Sequence, residues 1–317
     1  MKIPSISSLF KAKSQDAGLT AIGLTAHGVC LAQLAFSGEQ IRVLRCDYHQ
    51  GEISIDELER LKREGNLAKQ ACTTLLTQGD YQMLMVEAPN VPENEMKTAI
   101  RWKIKDSINC RIDEAAIDVL QIPANKNRSE RVQSLYAIVA ANDIIQKRMA
   151  MFEAAKLDLR VIDIPELAQR NIAALFEQAD RALVLLSFDE SGGLLTFTSA
   201  GELYLSRRIE INTGQLTDAD ADLRAQYRDR VELELQRSLD YFDRQFNHLS
   251  ISRILLSAPD ESRLLEFLSS SVGVSVVKLD LSQVMDISAT PALADAEYAA
   301  LLLPALGAAL RQEARSL

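Results

Sequence analysis

The sequence predicts an α/β fold of two similar lobes, because one order of secondary-structure elements occurs twice. Each half opens with three apolar segments typical of short strands, which turn residues separate. In the first half these segments are residues 21–24, 29–34 and 41–44, and in the second half they are residues 183–186, 194–197 and 203–209. The matching turns, at residues 37–39 and 200–202, lie 163 positions apart. This spacing indicates an internal repeat.

A helix and a further strand follow the three strands in each half. In the first half we expect the helix at residues 57–76 and the strand at 81–87. In the second half the strand at 253–256 follows a long helix at 218–246, which lacks Gly and Pro and has Thr217 as the expected N-cap. The helix carries one apolar stripe at helical spacing: Leu223, Tyr227, Val231, Leu235, Leu239, Phe242 and Phe246. Hairpins joined to crossover helices predict mixed sheets, as in ribonuclease-H-like and actin-like folds.

A small α+β block is predicted between the two halves. A proline and two acids at residues 92–95 favour a helix start, and strands at 116–122 and 134–141 and a helix at 142–155 follow. The sequence therefore predicts five segments. They are a tail at 1–18, the first lobe at 19–88, the inserted block at 89–156, a return to the first lobe and link at 157–180, and the second lobe at 181–317.

The composition disfavours several classes of function. The chain has 35 Lys and Arg against 44 Asp and Glu, a net charge of −9, which argues against nucleic-acid binding. Its four Cys and three His have no metal-ligand spacing, so we expect no metal site and reduced thiols. The longest apolar run, residues 299–310, is too short to span a membrane, and the N-terminus has no apolar core typical of a secretory signal. We expect a cytoplasmic protein.

The N-terminal residues allow two interpretations. Lys2, Phe10, Lys11 and Lys13 could make a weak contact with an anionic membrane surface, because apolar residues recur among them at helical spacing. The alternative is a tail without a binding role. The sequence leaves the oligomeric state open.

Three motifs, in their order along the repeat, resemble the type IV pilus assembly proteins of the PilM family. They are APNVP running into AIRWK at residues 88–103, ELQRSLDYF at 234–242, and ALGAALR at 305–311. The resemblance covers residues 19–311 and is nearest to the branch that serves mannose-sensitive haemagglutinin (MSHA) pili, MshI. It implies an actin-like fold with an inserted subdomain and a scaffolding role at the periphery of the inner membrane.

The resemblance also implies a partner and a place for it. The partner is the N-terminal cytoplasmic tail of a PilN-like bitopic inner-membrane protein, held in a groove between the first lobe and the inserted block. We expect the helix of the block to wall this groove with Met96, Ile100, Ile104 and Ile108. Arg101 would add positive charge for headgroups or an acidic segment, although a solvated helix face explains it equally well.

An actin-like ATPase needs three nucleotide loops, and the first departs from the family pattern here. Such loops need glycine for close backbone approach and an acid for metal and water. Thr25 stands at the expected position of the Asp and Cys30 at that of the Lys, while Gly28 remains. His27 could act as a substitute ligand, or it could be an ordinary turn residue.

The second and third loops depart from the pattern as well. In the second, Ser187 precedes Asp189, an acid shifted by two positions, and Gly192 and Gly193 follow. Asp189 could still serve, or the segment could be an ordinary hairpin turn. In the third, the expected Ser-Gly-Gly is replaced by Ser257, Ala258 and Pro259. The added Cβ and the missing N–H disfavour close contact with adenosine.

The leading hypothesis is therefore a pilus-assembly scaffold that has lost its nucleotide, with no catalytic residues and no cofactor. The chain has only 13 glycines, and none lies between Gly79 and Gly192. Because phosphate-binding loops usually need glycine, this composition disfavours a nucleotide enzyme with several such loops. The alternative hypothesis is an actin-like ATPase or nucleotide switch that uses ATP and magnesium in the same machinery. A sugar or acetate kinase of the same fold would need the same missing loops.

Overall fold

The computed structural model of the protein describes residues 16–17, 19–38, 40–68, 70–123 and 133–311. The four residues that could contact a membrane, Lys2, Phe10, Lys11 and Lys13, lie outside the described residues. No helix in the described ranges is both long enough and apolar enough to cross a membrane.

The first lobe is built on one mixed sheet. Its strands and helices are β1 (Asp16–Ala17), β2 (Thr20–Thr25), β3 (Gly28–Ser37), β4 (Gln40–Gln50), α1 (Ile55–Glu64) and β5 (Ala71–Leu75), with β9 (Asp158–Asp163) after the insertion. The sheet order is β4-β3-β2-β5-β9, and β1 pairs with the end of β3. Strands β2, β3 and β4 are antiparallel, whereas β5 and β9 run parallel to β2.

The inserted subdomain has its own three-stranded antiparallel sheet. It consists of β6 (Tyr81–Glu87), α2 (Glu93–Ile104), β7 (Ala115–Gln121) and β8 (Ser134–Ala141), in the sheet order β6-β8-β7. Helix α2 covers one face of this sheet. The other face packs against the second lobe through residues such as Tyr136, whose hydroxyl accepts from Ser206 N at 3.2 Å. Helices α3 (Asn142–Ala154) and α4 (Pro165–Ala174) return the chain through β9 to the second lobe.

The second lobe repeats the strand order of the first. Its elements are β10 (Arg181–Asp189), β11 (Gly192–Ser199), β12 (Glu202–Ile209), α5 (Thr213–Leu216), α6 (Ala221–Gln245), β13 (Ser250–Ser257), α7 (Leu264–Ser271), β14 (Val276–Lys278) and α8 (Ala296–Ala309). The sheet order is β12-β11-β10-β13-β14. In both lobes the third, second, first, fourth and fifth main strands therefore lie side by side, and this confirms the predicted two-lobed actin-like fold.

Two predicted elements of the first lobe were placed wrongly. The helix predicted over residues 57–76 ends at Glu64, because Gly65 and Asn66, the latter at φ 52°, stop it. The fourth strand of the lobe is β5, which pairs with β2 in parallel. The strand at Tyr81–Glu87 exists, but it pairs with β8 and belongs to the insertion. The insertion therefore begins before Tyr81 and not at residue 89.

The long helix α6 is shorter and less deeply packed than predicted. Its N-cap is Asp220, whose carboxylate accepts from Asp222 N at 2.8 Å and Leu223 N at 3.3 Å, whereas Thr217 ends the separate turn α5. Val231, Leu235 and Phe242 are fully buried. Leu223, at the start of the predicted stripe, is 38% exposed, so the first turn of α6 extends beyond the core, whereas Tyr227 packs partly against it.

Helices α4 and α8 join the two lobes at the centre of the molecule. They share one apolar core with strands of both sheets. The two helices meet so closely that a Cβ on Gly307 would lie 2.1 Å from the carbonyl oxygen of Ala168, and Asn171 Nδ2 donates to Gly307 O at 2.9 Å. A glycine is thus required where the helices cross.

Candidate functional site

A cavity of about 720 Å³ lies between the two lobes. The first lobe lines it with the β2–β3 turn, the β5–β6 loop and one face of α3, and the second lobe with the β10–β11 turn and Arg208 of β12. Helix α8 contributes Leu301, Pro304 and Ala305. A cavity of this size is large enough for a small organic ligand.

The first predicted nucleotide loop is a tight turn between β2 and β3. The Thr25 hydroxyl donates to Gly28 O at 3.1 Å and accepts from His27 N at 3.3 Å, so the turn satisfies its own polar groups. A Cβ on Gly28 would lie 2.3 Å from His49 O and 2.9 Å from the Tyr48 ring. The packing of β3 against β4 therefore explains this glycine without a phosphate.

Cys30, at the position expected of a Lys, is a buried thiol beside α8. Its Sγ lies 3.8 Å from Leu301 O and is oriented to donate to it. Burial raises the pKa of this thiol to about 12, so it is neutral at physiological pH. It presents no positive charge to the cavity that it lines.

The second predicted loop is the tight turn between β10 and β11. Asp189 Oδ1 accepts from Ser191 N at 2.7 Å and from Gly192 N at 3.1 Å. Burial raises the pKa of Asp189, and these two bonds oppose the rise. Ser187 is turned toward α4, where its hydroxyl donates to Gln169 Oε1 at 2.6 Å. The main-chain N–H groups of Ser191 and Gly192 therefore already have an acceptor.

Backbone conformation and close packing explain why both residues of this turn are glycine. Gly192 has φ 136°, a conformation that L side chains rarely adopt, and its Cβ would lie 2.8 Å from Ile209 O. A Cβ on Gly193 would lie 2.6 Å from Phe188 Cε1. Close packing of β11 against β12 and Phe188 accounts for them.

The third predicted loop lies apart from the other two. Ser257 and Ala258 line a second cavity of about 380 Å³, together with Lys278, Asp280 and other residues near β14. Pro259 opens a short 3-10 turn, and its carbonyl accepts from the Ser262 hydroxyl at 2.6 Å. Thr25, His27, Cys30 and Asp189 line the first cavity, whereas the third loop lines the second.

The turns of the two lobes meet at the mouth of the larger cavity. His27 Nε2 lies 3.6 Å from Glu190 Oε2, and both side chains are about two-thirds exposed. An exposed pair of this kind contributes little to stability. The described residues hold no group of three or more His, Cys, Asp or Glu that could bind a metal ion.

A buried polar network beside the cavity was not predicted from the sequence. Arg208 donates from Nε and Nη2 to Glu166 Oε1 at 3.1 and 2.9 Å, and from Nη2 to the Tyr81 hydroxyl at 2.9 Å. The Tyr81 hydroxyl in turn donates to Glu166 Oε2. The network joins the insertion, α4 and the second lobe. No local pattern marks these residues, because they lie far apart in the chain.

The residues predicted to wall the partner groove lie mostly inside the inserted subdomain. Ile100 and Ile104 are fully buried under its sheet, and Met96 and Ile108 pack partly against the same core. Arg101 donates to the carbonyl oxygens of Ile112 and Ala115, so its charge holds the subdomain together. The prediction that Ile100 and Ile104 face a groove is therefore wrong. A stripe at helical spacing marks the buried face of a helix, and here its own sheet covers that face.

The solvent side of α2 carries the single tryptophan of the chain. Trp102 is 68% exposed. It lies two positions from both Ile100 and Ile104, and so on the opposite side of the helix. Such a residue reports on any molecule that covers this face.

Comparison with known proteins gives a partial family match and a fold match over nearly the whole chain. A family model described as type IV pilus assembly protein PilM matches residues 49–185, which include the insertion. A chain of a solved PilM-PilN type IV pilus biogenesis complex is 17% identical, with a TM-score of 0.71, and the match covers 92% of this chain and 98% of that one. No curated protein matches the chain in sequence.

Two further solved structures are more distantly similar. One is the cytoplasmic domain of EpsL, an inner-membrane component of the type II secretion system of Vibrio cholerae. It is 12% identical, with a TM-score of 0.46, over 76% of this chain and 82% of that one. The other is a Bacteroides thetaiotaomicron protein with an actin-like ATPase fold and unknown function, 10% identical, with a TM-score of 0.48, over 95% and 99% of the two chains.

The strand order, the place of the insertion and the family match agree with one another. Both lobes have the actin-like order, and the insertion follows the fourth strand of the first lobe. The protein is therefore PilM-like, in sequence over residues 49–185 and in fold over nearly its whole length.

Proposed function

We propose that this protein is a scaffold of a type IV pilus assembly platform of the MSHA type. It would lie in the cytoplasm at the periphery of the inner membrane and bind the N-terminal cytoplasmic tail of a PilN-like protein. The observation that carries this proposal is the fold match to a chain of the PilM-PilN complex, which covers 98% of that chain. The two folds therefore share the lobes and the insertion as one arrangement.

The groove between the first lobe and the insertion remains the proposed binding site of the tail, but fewer of the predicted residues can line it. Ile100 and Ile104 belong to the core of the inserted subdomain, so they could contact the tail only if the subdomain unfolded. Met96 and Ile108, near the ends of the apolar stripe, are only partly buried and remain accessible. A tail that packs on the insertion would contact these ends.

The binding experiment uses the full chain and a synthetic peptide with the sequence of the partner's cytoplasmic tail. We expect saturable binding, which Met96→Glu weakens about tenfold or more, because a charge at a partly buried contact is costly. The matched control is Thr98→Glu on the exposed side of α2, which should leave the affinity within about twofold. Equal loss in both variants, or no binding by the unmodified chain, would contradict the proposal.

We further propose that the scaffold acts without ATP hydrolysis. Phosphoryl transfer depends on free N–H donors and metal-positioning acids. In the β10–β11 turn the N–H groups of Ser191 and Gly192 are engaged by Asp189. In the β2–β3 turn Thr25 stands where the acid is expected. Titration calorimetry with ATP and magnesium should detect no binding tighter than about 100 μM.

The second candidate function is a nucleotide-binding switch in the same machinery. The observation that favours it is the open cavity of about 720 Å³ at the interlobe position. Nucleotide binding below about 100 μM, together with hydrolysis that the Asp189→Asn variant abolishes, would support this function over the first.

A further inference from the structure

Two arginines from opposite lobes line the interlobe cavity. Arg208 comes from β12 of the second lobe, and Arg148 comes from α3 of the first. Neither lies in a predicted nucleotide loop. Guanidinium groups bind carboxylate and phosphate oxygens with directed hydrogen bonds, so their placement bears on the kind of ligand that fits.

Arg208 is held rigidly and still reaches the cavity. Glu166 and Tyr81 take its Nε and Nη2 donors, and none of these bonds uses Nη1. Glu166 is only 3% exposed, whereas the Arg208 side chain is 26% exposed. Burial opposes the charge of Arg208, but the surrounding Glu166 and Tyr81 outweigh it and raise its pKa. The group is thus a fixed cation whose Nη1 is not used by Glu166 or Tyr81.

Arg148 has fewer partners than its burial would suggest. Its Nη2 donates to Asp80 Oδ2 at 3.2 Å, while its buried Nη1 has no acceptor among the described residues. The side chain is only 12% exposed, and burial lowers its pKa, although Asp80 opposes the shift. A buried guanidinium with an unused donor is costly. Because Nη1 is closed to solvent, an anion in the cavity would bond to it only after the Arg148 side chain turns.

The acids that line the cavity are already engaged. Asp80 accepts from Thr77 N and Oγ1 at 2.9 and 2.7 Å as well as from Arg148. Asp189 accepts from its own turn, and Glu190 lies at the mouth beside His27. Arg148 and Arg208 supply the guanidinium donors of this cavity, and Lys147 and Gln78 line it as further donors.

The floor of the cavity is apolar. Leu24, Cys30, Met151, Leu301 and Pro304 line it. An apolar surface beside two directed cations fits a ligand that has an anionic group on an apolar body. It fits a nucleoside triphosphate with magnesium poorly, because the amide groups of the second turn are engaged and Thr25 stands where a metal-positioning acid is expected.

We propose that the interlobe cavity binds an anionic amphiphile, a carboxylate or phosphate on an alkyl or aryl body, whose anionic group bonds to Arg148 and Arg208. This site is separate from the groove proposed for the partner tail and does not depend on it. It is also distinct from binding through the two hairpin turns, because its contacts come from α3 and β12.

The test is titration calorimetry of the full chain with octyl phosphate, octanoate and octanol as probes. We expect saturable binding of at least one anionic probe and at least tenfold weaker binding of octanol. Arg148→Gln should weaken the anionic probe roughly 10- to 100-fold, as expected for a lost hydrogen bond to a charged group. Arg148→Lys, which keeps the charge but loses the planar group, should have an intermediate effect. A stronger response to octyl phosphate or to octanoate identifies the anionic group.

The matched control is Lys97→Gln, which removes a charge on α2 that does not line the cavity. Lys97 is 61% exposed and pairs with Asp118 at 2.7 Å, so its loss should change the affinity by less than about threefold. Equal weakening by both variants, equal binding of octanol, or no saturation by either anion up to about 1 mM would each overturn the proposal. Thermal unfolding of every variant establishes that it is folded.

Discussion

Several glycines of the two hairpin turns lie where a neighbouring strand or ring leaves no room for a Cβ. Gly28 lies against His49, and Gly193 lies against Phe188 and Ile209. An ATP-binding ancestor would explain these glycines by phosphate contact, but strand packing explains them without a ligand. The two explanations differ in how a substitution changes the stability of the protein when no ligand is present.

Gly28→Ala should destabilise the protein in the absence of any ligand. Its Cβ would overlap the His49 carbonyl oxygen at 2.3 Å, and overpacking of this kind costs about 1–3 kcal/mol. The measurement is urea unfolding of the purified chain. Gly273→Ala, where no atom lies within 4 Å of the added Cβ, is the matched control and should change stability by less than about 1 kcal/mol. If Gly28→Ala is as stable as the wild type, strand packing does not explain this glycine, and contact with a ligand would be the better explanation.

The buried thiol of Cys30 should make the protein less stable as the pH becomes alkaline. Burial raises the pKa of Cys30 from 9.0 to about 12. The unfolded chain therefore releases this proton first, and the contribution is complete below pH 9 and is lost as the pH rises toward 12. Between pH 8 and pH 10.5 the wild type should lose about 1–2 kcal/mol more stability than Cys30→Ala. Parallel declines in urea unfolding would show that the thiol is not buried in solution.

At the scale of elements, local signals predict hairpins well and pairing between distant segments poorly. The turns at Gly38 and Gly201 were predicted because glycine and polar residues separate apolar segments there, and both hairpins form with these glycines at positive φ. Strand β5 was missed because its short sequence, ACTTL, is almost wholly buried and does not alternate. Strand β6 was recognised as a strand, but its pairing with β8 depends on the insertion folding as a unit.

The candidate site shows the same limit. Thr25, Cys30 and Asp189 were found because the family resemblance implies nucleotide loops at these turns, and all three line the cavity. Arg148 and Arg208 line it as well, but each lies in an ordinary helix or strand pattern. Their approach depends on how the lobes pack, and no local periodicity encodes that.

The two halves of α6 should respond differently to the same substitution. Leu235→Ala removes a fully buried side chain and should cost about 2–5 kcal/mol. Leu223→Ala, in the first turn, should cost less than about 1 kcal/mol, because its side chain is 38% exposed. The free energy of unfolding in urea measures both. If Leu223→Ala costs as much as Leu235→Ala, another molecule or copy covers the start of α6 in solution.

At the scale of the whole molecule, the lobes are joined through helices and not through a flexible link. Helix α4 packs on the sheet of the second lobe and against α8, which packs on the sheet of the first. The network of Tyr81, Glu166 and Arg208 adds a third connection, between the insertion and the second lobe. Movement of one part is therefore resisted by the other two.

Gly307→Ala tests this connection directly. The added Cβ would lie 2.1 Å from the Ala168 carbonyl oxygen, which is main chain of α4 and cannot turn aside. We expect a loss of about 3 kcal/mol or more, or failure to accumulate as folded protein. Gly214→Ala, whose Cβ would meet one atom at 3.4 Å, is the control and should remain stable. Wild-type stability in Gly307→Ala would mean that the two helices lie farther apart.

The exchange of helices between the lobes also constrains how the chain can be made. Helix α8 is the last element of the second lobe in sequence, yet it covers the inner face of the sheet in the first. While a ribosome synthesises the second lobe, that apolar face has no cover within its own lobe. The first lobe therefore cannot complete its core until α8 has been made, and this apolar face stays uncovered on the nascent chain up to that point.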